Sequence, residues 1–165
     1  MLKTLLALFR ALLSGLTGRL CYVEIEIPGI AAADAFDAND TVGVVFPFPA
    51  PKWGTIETAK LIDRDDDTLA LTVHIYNAVF VGTASDAAYS IAATYASSWV
   101  TNITFDAPIV DEGEFKVSEK QGATDYIARE GRLWGLCSTT GTPNIAAGAM
   151  PLLQLGIRPR LPWSN

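Results

Sequence analysis

After Cys21 the sequence never settles into a helical rhythm: it breaks into short extended runs parted by turn-forming residues, and that alternation restricts the fold more than any other feature. In YVEIEI (22–27) apolar and acidic residues alternate, which places Val23, Ile25 and Ile27 on one face of a sheet. TVGVVF (41–46), TIETAKLI (55–62), TLALTVHIY (68–76), SWVTNITF (98–105), RLWGLCST (132–139) and LLQLGI (152–157) have the same extended character. Between them lie Gly29, Asn39-Asp40, Asp65 to Asp67, Gly113, Gly122 and Gly141-Thr142-Pro143, residues that favour turns. Such a succession, without long helical patterns between the runs, predicts an all-β chain, an antiparallel β-sandwich of jelly-roll type. The alanine-rich stretch from Ser85 to Ala96 is expected to form a short helix or turn between strands, and Gly141 to need positive φ in a turn preset by Pro143. No internal repeat is evident.

Prolines set a further limit. In FPFPAPKW (46–53) alternating prolines withhold backbone donors, so the stretch is unsuited to a central strand and reads as a rigid edge or an extended loop. Its Phe46, Phe48 and Trp53 are then candidates for meeting a partner at low entropic cost. The tail RPRLPWSN (158–165) has the same character, and adds Trp163 to the candidate contacts.

The first 20 residues differ in kind. Leu2, Leu5, Leu6, Phe9, Leu12, Leu13 and Leu16 recur at i, i+3, i+4, i+7, while Lys3, Thr4, Arg10 and Ser14 fall mainly on the other side. Gly15 and Gly18 stop the pattern. Arg10 cuts the apolar run below the roughly 7 to 15 residues of a signal core, and the uncharged run is far below the roughly 18 of a membrane span. An amphipathic helical arm (1–20) is expected ahead of a sandwich domain (21–165) with its proline-rich tail. The helix can pack on its own domain, lie on a membrane surface or dock on a neighbour. Docking is the expectation taken forward, with Leu2, Leu5, Leu6, Phe9, Leu13 and Leu16 as contacts.

Charge narrows the partners. The formal net charge of -6 conceals an asymmetry: Lys3, Arg10 and Arg19 stand among the first 20 residues with no acid, leaving 9 basic against 18 acidic residues in the remainder. A body that acidic repels phosphate backbones, so no nucleic-acid partner is expected. Cys21 and Cys137 are too few and too far apart for a disulfide framework, and are expected as reduced, buried thiols of an intracellular assembly environment.

Little in the sequence points to catalysis or a cofactor. His74 is the single histidine, and no serine or cysteine pattern beside it suggests a triad. The run Asp63-Arg64-Asp65-Asp66-Asp67 lacks the spacing and closing glutamate of a calcium loop and is expected as a solvated turn. No zinc spacing, phosphate loop or nucleophile elbow occurs, so no catalytic residue, metal or cofactor is assigned.

Residues 54–158 carry a resemblance. GTIETAKLIDRDDDTLALTVHIYNAVF, TASDAAYSIAATYASSWVTNITF and GRLWGLCSTTGTPNIAAGAMPLLQLGI resemble a family of phage-encoded minor capsid and head decoration proteins. The likeness lies in a strand ending in Asp (Leu61 to Asp63), a strand of the Leu71 to Asn77 type, the loop Ser85 to Ala88, and the late motif Gly141 to Asn144. Asn77 stands where the family often has Asp, and residues 1–20 lie outside the match. The resemblance implies a virion protein on the capsid exterior, assembled in the host cytoplasm. Its partners would be the major capsid protein and copies of itself, a trimer at local three-fold positions being one arrangement. The competing class is a carbohydrate-binding sandwich of a fibre or adhesin, with Trp53, Trp99 or Trp134 as a stacking platform.

Overall fold

Strand alternation decides which side chains meet the core, and the computed structural model shows where each run pairs. It describes residues 19–30, 34–64, 69–106, 108, 110–111, 115–145 and 149–160. The strands are β1 (Cys21–Glu26), β2 (Asp34–Ala35), β3 (Thr41–Pro49), β4 (Trp53–Asp63), β5 (Leu71–Tyr76), β6 (Trp99–Phe105), β7 (Val110–Asp111), β8 (Lys116–Ile127), β9 (Arg132–Thr139), β10 (Asn144–Ile145) and β11 (Leu152–Pro159). A 3₁₀ helix spans Ala93–Ser98, within and just beyond the stretch expected to turn.

The first sheet has the order β1-β11-β4-β8-β7 and the second β3-β9-β5-β6, while β10 and β2 form a two-residue ladder of their own. Every pairing is antiparallel. Taking the eight long strands in chain order, one sheet runs first, eighth, third, sixth and the other second, seventh, fourth, fifth. One apolar core joins them: Ile25, Ile56, Leu61, Leu153 and Leu155 from the first sheet meet Phe48, Val73, Ile75, Phe105 and Leu133 from the second. Each of the seven runs chosen from the sequence overlaps a strand, and Ile25 and Ile27 are buried as the alternation requires.

The outer face of the first sheet is polar. Across it run Glu119, Lys60, Gln154 and Glu24, paired in register, with Lys60 Nζ 3.5 Å from Glu119 and Gln154 Nε2 donating to Glu24 Oε1 at 3.0 Å. Such exposed pairs stabilise by about 0 to 1 kcal/mol each and mainly mark the face that water covers. The second sheet is different: its outer face carries a second apolar cluster of Tyr76, Phe80 and Leu136 with Tyr89, Ile91 and Tyr95 against it. The segment between β5 and β6 therefore lies over that sheet, which is why β5 is buried on both faces.

Three expectations are corrected. Phe46 and Phe48 do not face a partner: both are core residues, since β3 is an edge strand whose phenylalanines turn inward while Pro47 points out. The edge placement itself agrees with the missing proline donors. Phe46 lies over Gly135 of β9, where a Cβ would come within 2.5 Å of its ring. Secondly, Gly122 is no boundary between strands but a point inside the 12-residue β8. Thirdly, Gly141 has no positive φ and open space where a Cβ would go, whereas Gly43, at φ 74° with Pro28 O only 2.2 Å from a Cβ, holds the irregular turn of β3 past the end of β1.

Cys137 is wholly buried and Cys21 half-buried; neither is joined in a disulfide, and the Cys21 thiol donates to Ile157 O at 3.2 Å. Asp63 is buried too, its Oδ2 accepting the Leu69 N–H at 3.1 Å, so it closes the acidic connection from within. Leu2, Leu5, Leu6, Phe9, Leu13, Leu16, Asp65 to Asp67 and Trp163 lie outside the described residues.

Candidate binding site at the open flank

Because β6 and β8 are the last long strands of their sheets, they leave one flank of the sandwich with two neighbouring free edges. Among the described residues, β7 pairs with β8 only at Val117 and Lys116, and no other strand pairs with the rest of that edge. Between the edges lies a cleft of about 240 Å³ walled by β4, β6 and β8. Register shifts converge on it. One extra residue of β8 bulges between Gln121 and Thr124, Glu57 of β4 bulges against β11, and β6 slips between Trp99 and Thr101. Bulges of this kind bend a strand and re-aim its side chains.

The walls are rich in neutral hydrogen-bonding groups: Thr58, Thr101, Asn102, Thr104, Gln121 and Thr124. Thr124 Oγ1 donates to Thr101 Oγ1 across the gap at 3.5 Å, and Lys120 Nζ bonds Asp106 Oδ2 at 3.1 Å further along. Both charged residues of the wall are matched elsewhere. Lys120 has Asp106, and Glu57 accepts from the Arg158 guanidinium, Nη2 to Oε2 being 2.9 Å. That hydrogen bond holds the Glu57 carboxyl below its ordinary range, against a smaller opposing effect of desolvation, so the carboxylate stays ionised and paired.

Behind the cleft wall is a buried polar chain on the outer face of the second sheet. His74 is 8% and Ser138 3% exposed; His74 Nε2 lies 2.9 Å from Ser138 Oγ and Nδ1 3.0 Å from Asn102 Oδ1. The same Asn102 Oδ1 accepts the indole N–H of Trp99 at 2.9 Å. With two donors on Oδ1 the amide orientation is set, and Nδ2 makes no hydrogen bond to the described residues. Burial lowers the His74 pKa, only partly offset by the bond to Asn102, so the neutral ring is the form present near pH 7.

Sequence inspection missed this chain because Ser138 is 64 residues from His74. Serine, histidine and asparagine within hydrogen-bonding reach resemble the parts of a nucleophilic triad. The surroundings oppose that chemistry. Ser138 sits on β9, flanked by β3 and β5, where its backbone groups belong to the ladders and cannot frame an oxyanion. The Tyr89 ring stacks on His74 with centroids 4.0 Å apart and blocks approach from outside. The chain therefore positions Asn102 and secures the segment over the sheet. Among the described residues, no three His, Cys, Asp or Glu side chains converge as a metal site.

The tryptophans separate clearly. Trp134 packs against the outer apolar cluster, and Trp53 is half-buried with Lys52 Nζ 4.5 Å over its ring. Trp99 is 51% exposed, and is joined to the cleft wall through Asn102. No protein-family model matches the chain, and no curated protein is similar to it in sequence.

Proposed function

We propose that the chain is a phage virion structural protein, a decoration subunit that binds and stabilises the head shell from outside and has no catalytic role. The observation that carries this reading is the strand order. First, eighth, third, sixth against second, seventh, fourth, fifth is the order of a jelly roll, two Greek keys folded face to face, an architecture that viral shell proteins use. The pattern and turns of residues 54–158 support the same class, as does the spacing of Leu2, Leu5, Leu6, Phe9, Leu13 and Leu16 in the sequence, which would set them on one side of a helix that docks on a neighbour. Among the described residues, Val79 and Val81 in the connection after β5 are 62% and 74% exposed and add apolar surface for the major capsid protein or a second copy.

The test is fractionation of intact particles. The chain is expected to sediment with them at a fixed ratio to the shell protein and to leave when Leu6, Phe9 and Leu13 are changed together to serine. Absence from intact particles, with retention on immobilised glycan, would assign it to the carbohydrate-binding class of a fibre or adhesin instead.

A further inference from the structure

We infer that the free edge of β6 is a self-pairing surface, to which a second copy of the chain adds its own β6, antiparallel about a two-fold axis at Ile103. The inference concerns how copies meet and does not depend on the particle role. It begins with what guards an edge against strand addition: charge, proline or a covering element. The other long edge strands are guarded. β1 carries Glu24 and Glu26, β3 carries Pro47 and Pro49, and β8 carries Lys116, Glu119, Lys120 and Asp125 together with the short β7. From Trp99 to Phe105 there is neither charge nor proline, and Val100, Thr101, Ile103 and Thr104 are β-branched residues that favour strands. The register slip of β6 lies at its Trp99 end, so Thr101 to Phe105 pair regularly with β5.

The direction of the backbone groups follows from the neighbouring ladders, because successive residues of an antiparallel strand turn their N–H and C=O to opposite sides. Thr140 N–H donates to Ala70 O at 3.0 Å, and Asn77 N–H donates to Ser98 O at 2.8 Å. Ala70, Thr72, His74 and Tyr76 therefore turn towards β9, while Leu71, Val73 and Ile75 turn towards β6, where they meet Phe105, Ile103 and Thr101. Asn102 and Thr104, opposite His74 and Thr72, are left with their backbone groups on the outer side. Among the described residues, the Asn102 carbonyl has there only a long contact of 3.4 Å from the Thr101 hydroxyl. Two donors and two acceptors spaced two residues apart are complementary to themselves. With the axis at Ile103, Asn102 of each copy faces Thr104 of the other and each pair exchanges both N–H···O bonds, which satisfies all four groups. Ile103 then meets its own copy in the close, non-hydrogen-bonded position, and Thr101 meets Phe105. Each copy carries a net charge of -6, but no like charges face each other across this ladder.

The test is amide exchange of the full-length protein, followed residue by residue by NMR at about 20 μM and about 1 mM, beside sedimentation equilibrium. A single edge of 7 residues makes a small interface, so a Kd on the order of 100 μM is expected. The monomer share then falls from about three quarters to about one fifth between the two concentrations, and exchange at Asn102 and Thr104 should slow about fourfold. The free-edge amides of β1 and β8 should keep their rates. Thr104→Pro removes a donor that serves no bond to β5, so it should leave the strand in place and weaken dimerisation at least about tenfold. If that variant does not fold, exchange in the parent protein decides alone. A monomer at about 1 mM, self-association without slowed exchange at Asn102 and Thr104, or full dimerisation of a folded Thr104→Pro would each overturn the assignment.

Discussion

Replacing Phe48 by alanine separates the two roles its sequence context allows. The side chain is 1% exposed in the shared core, and its ring centroid stands 6.3 Å from that of Phe46 in a tilted pair. Truncating a buried phenylalanine removes its transfer free energy and leaves a cavity, together about 3 to 5 kcal/mol. Against a total stability of about 5 to 15 kcal/mol, that is a large fraction. For a chain of this size each kcal/mol moves the melting temperature by about 2 to 4 °C, so a fall of about 6 to 20 °C is expected. The measurement is urea and thermal unfolding of the isolated protein, with Val81→Ser as control. Val81 is 74% exposed, and its replacement should change stability by less than about 0.5 kcal/mol. A Phe48→Ala variant within about 1 kcal/mol of the parent, paired with lost partner binding, would refute the core assignment and restore Phe48 as a contact residue.

Acidification should destabilise the protein through His74. Its folded pKa is lowered from 6.5, so the unfolded chain takes up a proton first and stability falls as pH drops through 6.5 towards the folded value; urea midpoints of His74→Gln should lack that step. Gly43→Ala should lower stability by at least about 2 kcal/mol, because φ is 74° and its Cβ would strike Pro28 O, while Gly141→Val should stay within about 0.5 kcal/mol; a reversed ranking in thermal scans would be fatal to the turn assignments. Cys137 should resist a thiol reagent in the native protein and react at the unfolding rate, since burial pushes its pKa up; rapid native labelling would contradict the core position.

The strands that bury one face were legible because alternation is a local property. YVEIEI and LLQLGI show it plainly, and in the structure they pair as β1 and β11. β8 escaped because KVSEKQGATDYI buries little: its side chains line an outer face and a free edge, where nothing selects apolar residues. Phe46 and Phe48 misled for the opposite reason. Prolines correctly marked β3 as an edge, but an edge strand still has an inner face, and the alternation of phenylalanine with proline was that face's signature. Gly141 misled because a glycine beside a proline is compatible with several turns, and only the closed structure reveals which glycine is crowded by backbone.

The cleft was illegible on different grounds. Its walls come from three strands whose nearest parts are Ile56 to Ala59, Thr101 to Thr104 and Lys120 to Thr124, and no local pattern states that β6 and β8 will be the last long strands of facing sheets. That follows only from the order of all eight long strands. The same order brings Ser138 to His74 and His74 to Asn102, so the buried polar chain on the outer face of the second sheet belongs to no motif. A sequence can announce a site when the chemistry sits in one turn or one helix face. Here the chemistry is an edge, and an edge exists only once both sheets have chosen their neighbours.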